Sequence, residues 1–248
     1  MAGAPSLEEL WASTPPPSAT CDDQALAELP PTARRYLTHA IASGAPLATA
    51  VRLRMHGEIR LGGWFRFRAE EVIRWDRGMI WRAVIRMRGL PVRGFDRLVD
   101  GRAQLRWRLL GLVPLIASAG PDVVRSAAGR LAAESVWLPS ALCATAVSWT
   151  AAAAGHVRAA LPVPGEIATL DLTIGDDGRL CRLALARWGN PGGGPFRALP
   201  FGGIVEEERA FGGYTIPSRL RVGWHIDGDR FEDDGEFFRV TVDAATYR

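Results

Sequence analysis

The 248-residue sequence contains no lysine, so all 30 of its basic residues are arginine. Its 27 acidic residues leave a net charge of only +3, and the arginines are spread along the whole chain. Nucleic-acid-binding domains usually concentrate their basic residues on one face or in a recognisable motif. The chain has no helix-turn-helix, zinc-finger or RNP-type signature, and we therefore predict no nucleic-acid partner.

Cysteine is scarce as well, and no hydrophobic run is long. Cys21, Cys143 and Cys181 are odd in number and far apart, which excludes a disulfide framework. The longest apolar run, residues 109–120, is shorter than the ~20 residues of a transmembrane helix. The first residues show no basic region followed by an apolar one, so they are not a secretory signal. These absences favour a cytoplasmic protein without a transmembrane segment.

The standard catalytic motifs are also missing. The sequence has no GxSxG, HExxH, Walker loop or Rossmann GxGxxG in a strand-turn-helix setting. The four histidines are scattered without the spacing of metal ligands. We therefore predict neither a metal site nor a cofactor.

The sequence does contain segments in which apolar and polar residues alternate with a period of two, as in β-strands. Five strand-like runs between residues 50 and 110 are separated by Gly-, Asp- and Pro-containing turns, which is typical of antiparallel hairpins. A second series of strand-like runs follows from about residue 146 to the end. Residues 190–203, rich in Gly and Pro, are predicted to form a long loop. In total, we expect roughly a dozen strands.

Helical patterns occupy only two substantial segments, 31–43 and 119–137. Residues 1–28 are predicted to be a loosely ordered lead-in, because the prolines at 15–17 break any helix begun before them. Residues 29–248 show no linker or repeat and are predicted to form one domain. The fold class is therefore α+β, with a large antiparallel sheet.

Arginines mark one face of this sheet. In the segment WFRFRAEEVIRW, alternation places Phe65 and Phe67 on one side and Arg66 and Arg68 on the other. Two neighbouring strands divide in the same way, with arginines at 82, 86, 88, 106 and 108. Burying seven guanidinium groups together would cost more than nearby carboxylates could offset. We expect the arginine face to be solvated and the aromatic face to be buried.

The segment RLAAESVWLPSAL contains the most informative charged pair. Arg130 and Glu134 are four residues apart and share one face of the second helix. They either form an ordinary surface ion pair or turn toward the sheet. In the second case the buried carboxylate is a candidate acid, base or polar anchor.

From about residue 28 onward the chain resembles an uncharacterised bacterial family, a domain of unknown function. The resemblance rests on LPPTARRYL at 29–37, WFRFRAEE at 64–71 and the pattern RxxxExxWxPxAL, matched from Arg130 to Leu142. The order of elements is also similar to lipoprotein-carrier folds. That similarity implies a curved, incompletely closed half-barrel with two or three helices covering its concave side.

Two functions fit these expectations. The first is the binding of an apolar or amphipathic small molecule in the concave pocket, whose predicted ligand-binding residues are Phe65, Phe67, Trp81, Trp107, Trp137 and Trp149. The alternative is a cofactor-independent cyclase, isomerase, lyase or hydrolase. Glu134 would be its general acid or base, Arg130 its electrostatic anchor, and Glu70 or Asp96 its second carboxylate.

Overall fold

A computed structural model describes residues 5–21 and 26–248 and places thirteen strands in a single antiparallel sheet. The strands are β1 (Ala50–Arg60), β2 (Trp64–Arg74), β3 (Gly78–Met87), β4 (Leu90–Val99), β5 (Arg102–Leu109), β6 (Val113–Ala119), β7 (Ser148–Ala151), β8 (His156–Val163), β9 (Glu166–Ile174), β10 (Leu180–Gly189), β11 (Arg197–Phe211), β12 (Tyr214–Trp224) and β13 (Glu236–Tyr247). The helices are α1 (Leu7–Ala12), α2 (Pro31–Ala40) and α3 (Pro121–Glu134), followed by 3-10 turns at Ser135–Trp137 and Pro139–Cys143 and a π turn at Phe231–Gly235. The predicted α+β class and antiparallel sheet are confirmed.

The first and last strands meet at the centre of the sheet. The strand order is β6-β5-β4-β3-β2-β1-β13-β12-β11-β10-β9-β8-β7, so two meanders join along the β1–β13 pair. Val51 pairs with Tyr247 and Ile59 with Phe238 across this seam. Strands β6 and β7 are the two edges, and α3 crosses the concave side between them. The sheet is therefore curved but open, as expected for a half-barrel.

The two faces of the sheet divide as the alternation predicts. Phe67 is buried, while Arg66 and Arg68 on either side of it are exposed. On β3, Trp81 is buried and Arg82 is exposed. The apolar residues of this inner face join one large core that includes α2 and α3. The arginines lie on the convex side, where their charges stay hydrated.

Helix α3 starts at Pro121 and therefore begins later than the sequence pattern indicates. The predicted segment, 119–137, holds the α-helix from Pro121 to Glu134 and a 3-10 turn ending at Trp137. The residues before it, Val113–Ala119, form β6. Helix α2 likewise ends at Ala40 rather than at 43, because Ile41 adopts an extended conformation and bridges to Tyr214.

The prediction of a loosely ordered lead-in over 1–28 is wrong for residues 7–12, which form α1. Ser6 and Glu9 build a capping box at its start. Leu10 is fully buried, and the helix packs on the convex side of the sheet near Val72 and Ile80. Residues 1–4 and 22–25 of that lead-in lie outside the described residues.

The predicted loop at 190–203 is also only partly correct. Strand β11 already begins at Arg197, and Phe201 pairs with Leu185 of β10. Gly202 and Gly203 are both strand residues, and at Gly202 the neighbouring backbone leaves no room for a side chain. A Cβ on Gly202 would lie 2.1 Å from the carbonyl oxygen of Leu183. Composition alone therefore mistakes close strand packing for irregular structure.

Candidate functional site

A partly enclosed cavity of about 170 Å³ lies between α3 and the concave face of the sheet. Most of its wall is apolar and comes from the central and C-terminal strands and from the end of α3. These wall residues are Met55, Ile59, Ala133, Val136, Trp137, Leu183, Phe201, Leu220, Val222, Phe237 and Phe238. A group of charged side chains lines the remainder, so the cavity has one polar side.

The guanidinium of Arg130 holds three carboxylates at this polar side. Its Nε donates to Glu134 Oε1 at 2.5 Å, Nη1 to Asp96 Oδ2 at 3.1 Å and Nη2 to Glu71 Oε1 at 3.2 Å. The Arg130 guanidinium carbon also lies 5.3 Å from the centre of the Trp81 ring. We call Glu71, Asp96, Arg130 and Glu134 the acidic cluster. The predicted Arg130–Glu134 pair is thus turned toward the sheet.

Simple periodicity explains how the acidic cluster is assembled. Arg130 and Glu134 are one turn apart on α3, on the side facing the sheet. Glu71 follows Phe67 and Ala69 at every second position of β2 and therefore points inward. Asp96 lies on the inner face of β4, where Trp107 Nε1 donates to its Oδ1 at 2.9 Å.

Of the two carboxylates predicted to accompany Glu134, only Asp96 lies in the cluster. Glu70 is on the convex face, where it accepts hydrogen bonds from Arg52 and Arg82. Sequence reasoning missed Glu71, although the signal was available. The same alternation that puts Phe67 inside puts Glu71 inside, and residue 71 is fully buried.

Burial perturbs the protonation of this cluster. Burial, reinforced by the negative charge of Glu134, raises the pKa of Glu71 well above its usual range, and burial also raises the pKa of Asp96. The Oε1 atoms of Glu71 and Glu134 both accept hydrogen bonds from Arg130, which holds the two carboxyl groups near one another. Their Oε2 atoms are both buried without a hydrogen-bond donor among the described residues. A carboxyl group with a raised pKa in such surroundings is a candidate general acid or base.

A second arginine, which the sequence did not single out, lines the cavity from β10. Arg187 Nε donates to the carbonyl oxygen of Ser126 at 3.0 Å, and its guanidinium stacks over Phe201 at 4.5 Å. Among residues 5–21 and 26–248, no carboxylate lies within ion-pair distance of Arg187. Burial and the nearby Arg130 charge lower the pKa of Arg187 to about 10. Arg187 therefore has no ion pair of its own among the described residues, although the charges of Glu134 and Asp96 act on it from farther away.

The predicted ligand-binding aromatics fall into three groups. Trp81 and Trp137 line the cavity. Phe67 and Trp107 lie behind Trp81, as seen from the cavity. Their ring centroids are 5.7 and 5.6 Å from that of Trp81. Phe65 and Trp149 do not line the cavity; the Trp149 indole instead donates to the carbonyl oxygen of Leu142.

The Trp81 indole adds an unusual feature to the polar side. Its Nε1–H is buried and has no hydrogen-bond partner within the described part of the chain. Buried indole N–H groups usually find an acceptor. The polar side of the cavity therefore offers both a free donor and a free cation.

Residues 5–21 and 26–248 contain no group of three or more His, Cys, Asp or Glu side chains arranged to hold a metal ion. None of their helices has the length and apolar character needed to span a bilayer.

Comparisons with known proteins give a family but no activity. No curated protein matches the chain. A domain described as an outer membrane lipoprotein-sorting protein, from Vibrio parahaemolyticus, is 7% identical with a TM-score of 0.42, over 80% of this chain and 85% of that one. A LolA superfamily protein from Nitrosomonas europaea is 9% identical with a TM-score of 0.43, over 93% and 94%. Neither likeness bears on function.

The family profile covers most of the chain, including the whole cavity except for strand β13. It matches residues 19–233 and contains the segment from Arg130 to Leu142 that carries the strongest motif. The resemblance to an uncharacterised family is thereby confirmed. The chain belongs to the family of unknown function DUF6544.

Proposed function

We propose that the cavity binds a small amphipathic molecule, with its apolar part between α3 and the sheet and an acidic head beside Arg187. The observation that carries this proposal is the unpaired guanidinium of Arg187 at the polar end of an otherwise apolar cavity. Pockets for small molecules typically combine apolar walls with a few converging polar groups.

The contrast between the two arginines indicates where the head group binds. Arg130 already donates to three carboxylates and has little left to offer a ligand. Within the described residues, the hydrogen bonds of the Arg187 side chain go to Ser126, and its guanidinium stacks on two aromatic rings. A buried charge without a counter-charge is unfavourable. An anionic head would remove that penalty, and the free Trp81 N–H is available to a second acceptor atom.

The cavity volume limits the enclosed part of the ligand. An apolar cavity of about 150 Å³ accommodates one benzene molecule. The cavity of about 170 Å³ is therefore suited to a short acyl chain or a small ring system. A longer ligand would extend through the open side.

Ligands that differ only in their head group test this proposal. Isothermal titration calorimetry with octanoate, octan-1-ol and octylamine should show octanoate binding most tightly and octylamine most weakly. Replacing Arg187 by Met should lower the affinity for octanoate by at least about tenfold, because a charge-assisted hydrogen bond contributes about 1.5–3 kcal/mol. The same substitution should change the affinity for octanol much less.

Two variants control this experiment. Arg125→Met removes an arginine that also stacks on a tryptophan but lies outside the cavity, and it should leave binding unchanged. Ala133→Phe should fill the cavity and weaken all three ligands. The proposal is wrong if octylamine binds as well as octanoate, or if Ala133→Phe, correctly folded by circular dichroism, binds like the unmodified protein.

A second candidate function follows from the raised pKa of Glu71. A carboxyl group that holds its proton more tightly than usual, at the edge of an apolar cavity, is suited to general acid-base catalysis. The supporting observation is the raised pKa of Glu71 together with the unpartnered Oε2 atoms of both residues. The same cavity would then hold a substrate rather than a cargo.

Proton exchange distinguishes the enzyme from the binding protein. Ligands recovered by native mass spectrometry are incubated with the protein in D₂O and examined for deuterium on carbon or for a change in mass. An enzyme would give either change, and Glu134→Gln would abolish it. Recovery of every ligand unaltered would exclude catalysis on those compounds and leave binding as the function.

A further inference from the structure

One end of the sheet carries a group of exposed apolar side chains that the cavity does not use. The β3–β4 turn at 88–89 and the β5–β6 turn at 110–112 lie side by side there, joined by a hydrogen bond of 2.8 Å from Leu110 N to Pro91 O. We call these side chains the apolar tip. They are Leu90, Leu110, Leu112, Val113, Leu115 and Ile116, with exposures of 48%, 49%, 76%, 53%, 51% and 48%.

The apolar tip lies at the edge of the sheet, where its side chains do not contribute to the core. Its members come from the first residue of β4, from the β5–β6 turn and from β6, an edge strand with no neighbour on its outer side among the described residues. Leu110 adopts a φ of +55°, a backbone conformation that normally selects Gly, Asn or Asp. Contiguous exposed apolar surface of this kind usually marks a site of interaction.

The surroundings of the tip are mostly basic, and Glu70 is an acidic residue that shares a surface groove with Arg93, Arg106 and Arg108. Arg86, Arg88, Arg93, Arg106 and Arg108 are all exposed on the same part of the sheet. Arg93 pairs with Arg108 in the β4–β5 register, so their guanidinium groups are neighbours. Residues 84–95 and 105–119 contain no Asp or Glu, and none of the five arginines has an ion-pair partner in the described part of the chain. We call these five the basic collar.

We propose that the apolar tip and the basic collar dock on the surface of a lipid bilayer that contains anionic lipids. Leucines inserted among the acyl chains and arginines beside the phosphates satisfy both features at once. Nucleic acid would pair with the arginines but would leave the protruding leucines in water. A second copy of the chain would bring two basic collars together, with repulsion between them. The proposal does not depend on what the cavity binds.

Vesicle binding tests the docking surface. The protein should float with phosphatidylcholine vesicles containing 30% phosphatidylglycerol and bind pure phosphatidylcholine much more weakly, with binding reduced by salt. Each arginine near an anionic surface strengthens partitioning by about fivefold, so Arg88→Gln, Arg93→Gln and Arg108→Gln combined should weaken it roughly 100-fold. Leu112→Ser should weaken it about tenfold, through the loss of one inserted side chain.

Matched variants on other surfaces control for total charge and hydrophobicity. Arg34, Arg197 and Arg209 are exposed and form no ion pair with any residue that the structure describes, and changing all three to Gln removes the same charge. Ile167 is 71% exposed on β9, so Ile167→Ser matches Leu112→Ser. Both controls should retain most of the vesicle binding.

Three outcomes would overturn the proposal. The first is equal flotation with neutral and anionic vesicles, or with neither. The second is an equal loss of binding in the control variants. The third is that the tip serves another partner. Such a partner would be a second copy of the chain if sedimentation showed a dimer that dissociates in the Leu112→Ser variant. It would be nucleic acid if the protein bound duplex DNA more tightly than vesicles.

Discussion

At the scale of single residues, Arg130 is the side chain on which the acidic cluster depends. It is the only cation that contacts Glu71, Asp96 and Glu134 within the described residues. Replacing it by Leu would leave three carboxyl groups without their counter-charge. Removing one partner of a buried pair typically costs about 3–5 kcal/mol.

We therefore expect Arg130→Leu to lower the free energy of unfolding by about 3–5 kcal/mol at pH 7, measured in urea. The loss should shrink at low pH, where the carboxylates are protonated. Arg125→Leu removes a half-exposed pair with Glu166 and should cost less than about 1 kcal/mol. Equal losses from the two variants would contradict the assigned role of Arg130.

Glu71 and its neighbour Glu70 are expected to change the stability of the protein with pH in opposite directions. The folded protein raises the pKa of Glu71, so the protonated form stabilises the fold and that contribution is lost as pH rises. Despite partial burial, hydrogen bonds and ion pairs with Arg82 and Arg52 lower the pKa of Glu70, whose contribution is lost as pH falls.

Unfolding in urea between pH 4 and pH 9 should show this difference. Glu71→Gln should gain stability relative to the unmodified protein as pH rises above about 4.3, by at most about 1.4 kcal/mol per pH unit. Glu70→Gln should be less stable than the unmodified protein at pH 7, and the deficit should vanish at low pH. A deficit of Glu71→Gln that grows with pH would show that Glu71 is ionised in the fold.

At the scale of elements, β4 can approach β5 closely because residue 94 has no side chain. A Cβ on Gly94 would lie 2.4 Å from the Trp107 ring and 2.4 Å from the Arg106 carbonyl oxygen. Trp107 in turn positions Asp96 through its indole N–H. The packing of one strand pair therefore places a member of the acidic cluster.

Gly94→Ala should consequently destabilise the protein by about 1–3 kcal/mol, the usual effect of overpacking, and displace the Trp107 ring. Thermal unfolding and near-ultraviolet circular dichroism measure the two effects. Gly192→Ala is a suitable control, since a Cβ at that position meets no atom within 4 Å. A Gly94→Ala variant as stable as the control would mean that β4 and β5 can separate without cost.

Periodicity determines which elements the sequence could predict. The strands from β1 to β5 and their faces follow from alternation, because each arginine on the convex side has an apolar neighbour on the concave side. Strand β6 lacks this alternation, since almost every residue in it is exposed. The start of β11 was hidden by glycines that pack against backbone and by Pro200, which pairs with Ala186.

The sequence could predict only those site residues whose position follows from the periodicity of a single helix or strand. The Arg130–Glu134 pair needs a single helix, and Glu71 needs the alternation of a single strand. Arg187 could not be found in this way. Its place at the cavity depends on the strand order, which brings β10 next to α3.

At the scale of the whole molecule, β13 joins the two meanders. It pairs with β1 on one side and β12 on the other, and it supplies Phe237 and Phe238 to the cavity wall. A chain ending at residue 235 would leave one edge of β1 and one edge of β12 without a partner strand, and it would remove Phe237 and Phe238 from the cavity wall.

We expect such a truncated protein to lack cooperative unfolding and to bind hydrophobic dyes, unlike the full chain. Circular dichroism during heating and dye fluorescence measure the two properties. A cooperative transition in the truncated chain would show that at least one of the two meanders folds without β13. In that case, the seam between β1 and β13 would be an interface between two independent units.

Because β13 lies at the centre of the sheet, β1 has to wait during translation for its partner strand to be synthesised. Translation at 5–20 residues per second separates the completion of β1 from that of β13 by about 10–40 s. During that interval the inner face of the first meander, with Trp81 and Trp107, has no partner strand across the seam. The hydrated arginines on its outer face oppose aggregation of this unfinished sheet on the ribosome.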